Sequence, residues 1–380
     1  MKVVVAVDSF KGSLTSIEAG AAIREGICRV RPDAEISVFS LADGGEGTVE
    51  ALISGMGGIR RRIIVTGPLG RPVECTYGII EETGTAVIEM SAAAGITLVP
   101  EQERNPLYTT TYGVGEMIRD AIAGNCRKFI VGIGGSATND GGIGMLQALG
   151  YGFLDASGKQ VSFGARGLEE LKTITDTFVL PELKECVFRV ACDVTNTLCG
   201  EQGCSAVYGP QKGATPSMVR QMDKWMGCYA ALSEKKYPKA NPMQAGCGAA
   251  GGLGFGFLTF TNAVLESGIQ IVLEETGLED LIRQADLVIT GEGRLDGQSA
   301  MGKAPVGVAR MAKKYGKPVI ALAGSVTKEA AQCNQNGIDA FFPIVRGITT
   351  LEEAMKRRTA EENLADTAEQ VIRLWSIKRK

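Results

Sequence analysis

The 380-residue chain contains no histidine. That absence excludes a Ser-His-Asp triad, a histidine-bound metal and an imidazole general base, so acid–base work falls to Asp, Glu or Lys. Its 10 cysteines, scattered from Cys28 to Cys333, form no C-x-x-C pair. The closest group, Cys186, Cys192, Cys199 and Cys204, lacks the spacing of a zinc site. Free thiols in a reducing compartment are the expected state. Long apolar runs are also missing. The stretch from Val3 to Val7 before Asp8 is too short for a signal peptide or a membrane span, so the protein is expected to be cytoplasmic. A net charge of −3 supplies no basic excess, which argues against nucleic acid or a membrane surface as partner.

What is abundant is glycine. Fifty glycines (Gly 50) exceed the usual share of about 7% and follow no collagen-like period, so they mark many tight turns. With 44% hydrophobic and 22% charged residues the chain is a globular protein, too long for one ordinary core, and two domains are expected.

The most informative stretch is 129–150, FIVGIGGSATNDGGIGMLQALG. Phe129, Ile130, Val131 and Ile133 read as a buried strand, and Met145, Leu146, Ala148 and Leu149 recur at helical spacing. Between them Gly132, Gly134, Gly135, Gly141 and Gly142 interleave with Ser136, Thr138, Asn139 and Asp140. Such a loop before a helix reads as a phosphate or carboxylate cradle, and Asp140 beside it suggests an intervening metal ion. It also fits a loose dinucleotide fingerprint or a plain structural turn.

The same rhythm recurs along the chain. Residues 2–7 form an expected strand ending in Asp8-Ser9-Phe10-Lys11-Gly12-Ser13, followed by a helix over 16–30. The next strand, 35–41, ends in Asp43-Gly44-Gly45-Glu46-Gly47-Thr48. Ligands of open α/β sheets bind at such strand ends, although Asp and Thr also serve as helix caps. Short strands at 62–65, 74–80 and 85–90, joined by Gly/Pro turns, indicate an antiparallel piece and the start of a second domain near residue 66. A strand at 188–192 leads to Asp193 and a loop ending Gly209-Pro-Gln-Lys212-Gly213. Lys212 reads there either as a solvated lysine or as a cation held by the turn. Residues 246–256 are again glycine-rich and lead to a helix expected around 258–265.

After residue 275 the α/β rhythm returns. The strand 287–290 runs into Gly291-Glu292-Gly293-Arg294-Leu295-Asp296 and then Gly297-Gln-Ser299-Ala-Met-Gly302-Lys303-Ala304. This last run matches a P-loop except that Ala304 stands where a magnesium-holding Ser or Thr belongs. It is expected to bind phosphate in another way, with Lys303 as a point charge and Pro305 in the first helical turn. Further strands at 319–322 and 340–344 and a structural helix at 359–375 complete a discontinuous, doubly wound parallel-sheet domain of Rossmann-like or flavodoxin-like type. Its expected limits are 1–65 and 284–380. A mixed α/β domain, 66–283, is inserted into it, with the active site expected in the cleft between.

Five blocks, DSFKGS (8–13), ADGGEGT (42–48), GIGGSATNDGG (132–142), GPQKGA (209–214) and TGEGRLD (290–296) with Gln298, Ser299, Gly302 and Lys303, resemble the bacterial glycerate kinases of the glyoxylate-pathway type along nearly the whole chain. The resemblance implies ATP and Mg2+ as cofactors, D-glycerate as substrate and a phosphoglycerate as product, with 2-phosphoglycerate favoured over 3-phosphoglycerate. One departure is Thr197, where the family has proline after the asparagine.

Phosphoryl transfer is mainly positioning and charge neutralisation, which suits loops rich in backbone N–H groups, carboxylates and lysines. Asp193, Lys11 and Lys212 are expected to be catalytic. Asp193 is favoured as base because domain closure would bring it to the substrate. Ser9, Lys11, Ser136, Asn139 and Arg294 are expected on substrate. Gly134, Gly135, Gly302, Lys303 and Ser299 are expected on nucleotide phosphates, and Asp43, Asp296 and Glu292 on the metal. A homo-oligomer is compatible with the sequence. Two other readings compete: a nicotinamide-dependent oxidoreductase of a small hydroxy acid using the loop at 132–137, and a non-catalytic sugar-acid sensor.

Overall fold

The computed structural model of the protein describes residues 1–41 and 47–377, and of Ser54 the backbone only. The chain is an α/β protein with two compact units, one formed by residues 1–41, 50–56 and 269–377, the other by 47–49 and 57–268. Along the chain the strands are β1 (Lys2–Val7), β2 (Glu35–Ser40), β3 (Ile59–Thr66), β4 (Pro72–Ile80) and β5 (Thr85–Glu89). They continue with β6 (Lys128–Gly132), β7 (Gly152–Leu154), β8 (Thr173–Thr175), β9 (Val187–Ala191) and β10 (Ala263–Glu266). The last are β11 (Leu287–Leu295), β12 (Val319–Val326) and β13 (Ala340–Pro343).

The first unit holds a 5-stranded sheet in the order β13-β12-β11-β1-β2. All of its pairings are parallel. With its strands taken in chain order this is the flavodoxin-like arrangement, whose order reverses between β1 and β11, and ligands favour the carboxyl ends of strands at such a reversal. β1 is buried on both faces, which explains its unbroken Val/Ala run. The helix Ser16–Val30 begins with a reciprocal cap between Thr15 and Glu18. It lies against the helix Arg357–Ile377, whose Leu364, Ala368, Val371 and Ile372 are buried as their spacing requires. The helices cross so closely that a Cβ on Gly26 would come within 2.1 Å of the Ala365 carbonyl oxygen.

The second unit carries a 6-stranded mixed sheet, β10-β9-β6-β5-β4-β3, and the separate antiparallel pair β7-β8. β3 and β4 are the antiparallel edge, and β5, β6, β9 and β10 run parallel. Three sequence expectations are corrected here. β3 pairs along its length with β4, so it belongs to the second sheet instead of ending the first domain at residue 65. Residues 269–283 group with the first unit, since the helix Leu278–Gln284 buries Leu278 and Ile282 there. The glycine-rich helix is Ala249–Phe260, and Leu265 lies on β10 because Ala263 to Glu266 pair with β9.

Candidate active site

In the first unit, the carboxyl ends of β1, β11, β12 and β13 surround a cavity of about 800 Å³. Asp8 follows β1 and is buried, and its Oδ1 accepts the Ser9 N–H at 2.6 Å. The chain then turns back at once. Phe10 N donates to Leu14 O at 2.9 Å, and Ser13 N and Oγ both donate to Phe10 O at 2.8 Å. Phe10 and Leu14 are buried anchors, and Gly12 at φ +82° allows the reversal. Lys11 is therefore exposed at the tip of a short anchored turn and lines the cavity with Ser9.

β11 is longer than the sequence suggests. Gly291, Glu292, Arg294 and Leu295 all pair with β12, so Glu292 and Arg294 are strand residues and not members of a loop beyond it. The glycines of this stretch answer a steric demand between the two strands. A Cβ on Gly291 would reach 2.2 Å from Leu322 O, and one on Gly324 would reach 2.5 Å from Gly293 O. Glu292 is buried, and its Oε1 has no hydrogen-bond partner. Burial pushes its carboxyl up to about 7, opposed by Ser299 and Lys303 and assisted by the neighbouring charges of Asp8 and Asp296.

Beyond β11 the structure separates residues that the sequence grouped. Asp296 caps the short helix Gly297–Ala300, its Oδ1 accepting Gln298 N at 2.8 Å and Ser299 N at 3.2 Å. Its Oδ2 lies 3.7 Å from Arg294 Nε, and Asp296 lines the cavity. Ser299, expected on phosphate, has no exposed surface; its Oγ accepts from Asp296 N at 3.1 Å and completes the cap. Gly302 turns the chain at φ +123°, and Lys303 then precedes the helix Ala304–Lys314, with Pro305 in its first turn. Lys303 lines the cavity, and its Nζ meets Gln298 Oε1 at 3.1 Å.

In the second unit the glycine loop after β6 is built differently from an anion cradle. Asp140 is fully buried, with Oδ2 accepting Thr111 N at 2.8 Å and Thr111 Oγ1 at 2.9 Å, and Oδ1 accepting Gly142 N at 3.0 Å. Burial raises its pKa, and the bonds from Thr111, Gly142 and Gly144 pull it back down. The N-terminus of the helix Ile143–Ala148 thus already has its anion, the chain's own carboxylate, and Asp140 is no metal ligand. Asn139, expected on substrate, is also enclosed, donating to Ser205 Oγ at 2.9 Å. Lys212 is only 2% exposed, and its Nζ donates to Ser136 Oγ and Thr138 O, both at 2.6 Å. Burial lowers its ammonium pKa to about 8, against the pull of Cys204 and Asp140. It acts as an internal strut of the loop, not as a reaching side chain. Only Gly134 and Gly135 are exposed in this loop, with Ser136 just beneath them.

The loop is clamped from the other side by Ala250, Gly251 and Gly252, all at positive φ. Gly251 O accepts Gly141 N at 2.9 Å, and a Cβ on Gly251 would lie 2.0 Å from Thr138 O. Asp193 follows β9 and is exposed. The loop after it is well tied despite Thr197. Asn196 Nδ2 donates to Gln202 O at 2.9 Å, its Oδ1 accepts Tyr208 Oη at 2.6 Å, and its carbonyl accepts Gly248 N at 2.9 Å.

The cavity therefore brings together Ser9, Lys11, Glu292, Arg294, Asp296 and Lys303. In the second unit Lys212 holds Ser136, and Asn139 holds Ser205. Asp43 lies outside the described residues. Among the described residues no group of three or more His, Cys, Asp or Glu is arranged to hold a metal by itself. Magnesium, however, needs only one or two carboxylates alongside substrate phosphates, and the buried, unpartnered Glu292 oxygen near Asp8 and Asp296 fits that demand. Sequence reasoning placed Asp8 at a strand end suited to ligands but gave it no role, although its position directly after β1 was a signal. It also missed the apolar side of the cavity, Ile344, Leu351 and Met355, for which no motif exists. No described helix is long and apolar enough to cross a membrane.

A model of the glycerate kinase family matches residues 3–376. The chain is 48% identical to a glycerate kinase of Haemophilus influenzae, covering 100% of both chains. It is 47% identical to a glycerate 2-kinase of Escherichia coli, over 99% of this chain and 98% of the relative. The crystal structure described as glycerate kinase 2 from Salmonella typhimurium LT2 superposes with a TM-score of 0.90 at 46% identity, covering 100% of this chain and 99% of that one.

Proposed function

The chain belongs to the glycerate kinase family, and on that premise we propose that it transfers the terminal phosphoryl group of ATP to D-glycerate, yielding 2-phosphoglycerate in preference to 3-phosphoglycerate. Membership of a kinase family displaces the oxidoreductase and sensor readings. The observation that carries the proposal is the cavity in the first unit, where cations and buried carboxylates converge at a strand-order reversal without a histidine among them. The 2-hydroxyl preference is supported by the relative named glycerate 2-kinase.

Lys303 and Lys11 are the point charges for transferring phosphate oxygens, and Arg294 and Ser9 serve the glycerate carboxylate and hydroxyls. Glu292 and Asp296, with Asp8 beside them, would hold magnesium, which supplies charge neutralisation at the phosphates when bound. Asp193 is proposed as the group that accepts the hydroxyl proton, since it is an exposed carboxylate at a strand end and no imidazole is available. Gly134 and Gly135 offer exposed backbone N–H groups, and Ser136 is oriented from below by Lys212. Lys212 has a positioning role in this scheme.

Incubating the protein with D-glycerate, ATP and magnesium and resolving the products by phosphorus NMR tests the proposal. Formation of 2-phosphoglycerate is expected. A signal from 3-phosphoglycerate alone would overturn the regiochemistry, and no ATP-dependent product would overturn the activity.

A further inference from the structure

The helix end of the glycine loop in the second unit is filled by Asp140, but the other end of the loop offers only donors. Lys212 Nζ donates to Ser136 Oγ and to Thr138 O, both at 2.6 Å. An ammonium has hydrogens and no lone pair, so Ser136 Oγ must accept, and its own hydrogen is left over. Among the described residues that hydroxyl finds no acceptor, and none of the N–H groups of Gly134, Gly135 and Ser136 is taken up. We propose that Lys212 fixes Ser136 as a donor, and that Ser136 with these N–H groups forms an anion site for the carboxylate of the acceptor acid. The inference rests on the reading of the chain as a kinase of D-glycerate, and it makes Lys212 a positioning residue that acts through Ser136.

Three further observations support it. The arc is pinned on both sides of Ser136, since Gly135 O accepts Ile96 N at 2.8 Å and Ala137 N donates to Ala94 O at 2.9 Å. Gly134 and Gly135 are exposed, and a Cβ on Gly135 would meet nothing closer than Ser91 Cβ at 3.6 Å. Packing therefore does not demand this glycine; its φ of +74° does, a left-handed step of the kind that turns successive N–H groups to one side. The third observation is the charge behind the hydroxyl. Burial lowers the Lys212 ammonium to about 8, against the pull of Cys204 and Asp140, while Arg104, whose backbone packs against Gly213, stays charged at any ordinary pH. Above about pH 8 Lys212 becomes a neutral amine. It keeps an N–H on Thr138 O and turns its lone pair to Ser136, whose hydrogen then points inward. The donor is withdrawn from the site, and the positive charge with it.

The test uses the full-length protein. For the parent the KM for D-glycerate should be level up to about pH 8 and about tenfold above its neutral value at about pH 9, while kcat and the KM for ATP stay level over that step. Ser136→Ala should raise the KM for glycerate about tenfold at neutral pH, the effect of one hydrogen bond to a charged group, and flatten the alkaline rise. In calorimetric titrations without ATP, D-glyceramide, which carries an amide in place of the carboxylate, should bind the parent and Ser136→Ala nearly equally. If Ser136→Ala matches a parent that phosphorylates glycerate, this inference alone falls. It also falls if the variant keeps the full alkaline rise, if kcat drops in place of a rise in KM, or if glyceramide binding weakens as much as glycerate binding. A parent that neither binds nor phosphorylates glycerate would overturn the kinase reading itself, and this inference with it.

Discussion

Glu292→Gln should stabilise the unliganded protein at about pH 8 and by only about a quarter as much at about pH 5. Burial lifts the Glu292 carboxyl from 4.5 to about 7 in the folded chain, with Asp8 and Asp296 adding repulsion. Below about pH 4.5 both folded and unfolded forms hold the proton, and the group costs nothing. As pH rises through the window up to about 7, the unfolded chain releases its proton while the folded chain retains it, so stability falls; above that window the loss is constant. At about 1.4 kcal/mol per pH unit, the full penalty is on the order of 3 kcal/mol. Glutamine copies the shape of the neutral acid and carries no charge to bury, so it removes the penalty. The measurement is urea unfolding at several pH values without magnesium, in a Trp225→Phe background so that Trp375 reports on the first unit alone. A stability gap between the Glu292→Gln variant and its parent that stays constant across that range would refute the burial argument. Added magnesium and ATP should reverse the order, because the variant then lacks a carboxylate that the proposed site uses.

The other expectations concern the roles of single groups. Lys11→Met should lower kcat/KM for glycerate at least tenfold without changing the unfolding midpoint, since the side chain is exposed at the tip of an anchored turn; parent-like kinetics would make it a surface lysine. In a magnesium titration with both substrates saturating, Asp296→Asn should be rescued by excess magnesium and Asp193→Asn should not, and the opposite pattern would exchange their proposed roles. Gly251→Ala should destabilise the second unit by roughly 2 kcal/mol or more, because the residue sits at φ +67° with a carbonyl 2.0 Å from the new Cβ. A neutral effect in calorimetry would mean that the clamp on the loop is soft.

How much was legible in the sequence depended on the range of the interactions involved. β1, the helix Ser16–Val30 and the buried face of the helix Arg357–Ile377 follow from local periodicity and caps, and they lie where periodicity puts them. Residues at strand ends could also be found, because strand ends carry their own turn chemistry; Ser9, Lys11, Asp296 and Lys303 all reach the cavity. Burial of polar groups could not be read in this way. Asp140 and Lys212 look alike in sequence to any acid or lysine in a glycine loop. Their enclosure depends on Thr111, Ser136 and Thr138, partners distant along the chain. The extent of β11 was underestimated because Gly291 and Gly293 read as turn residues, while the absent side chain of Gly291 serves close approach to β12 and that of Gly293 faces the backbone of Phe10 and Lys11. The strand at 62–65 already reads as part of the antiparallel piece, as its pairing with β4 bears out, and only the domain limit at residue 65 parts it from that partner.

The placement of β1 has a consequence for synthesis on the ribosome. β1 lies between β2 and β11, and Lys2 N donates to Asp286 Oδ2 across a separation of 284 positions. At about 5–20 residues per second, translation needs roughly 15 to 60 s to deliver that partner. Throughout that interval one edge of the Val3–Val7 segment, apolar and β-branched, lacks its neighbour, while all strands of the second sheet emerge and can pair. The nascent chain is therefore expected to complete its interrupted sheet last, and a chaperone that masks apolar strands should engage its N-terminus during that window and release it once β11 emerges.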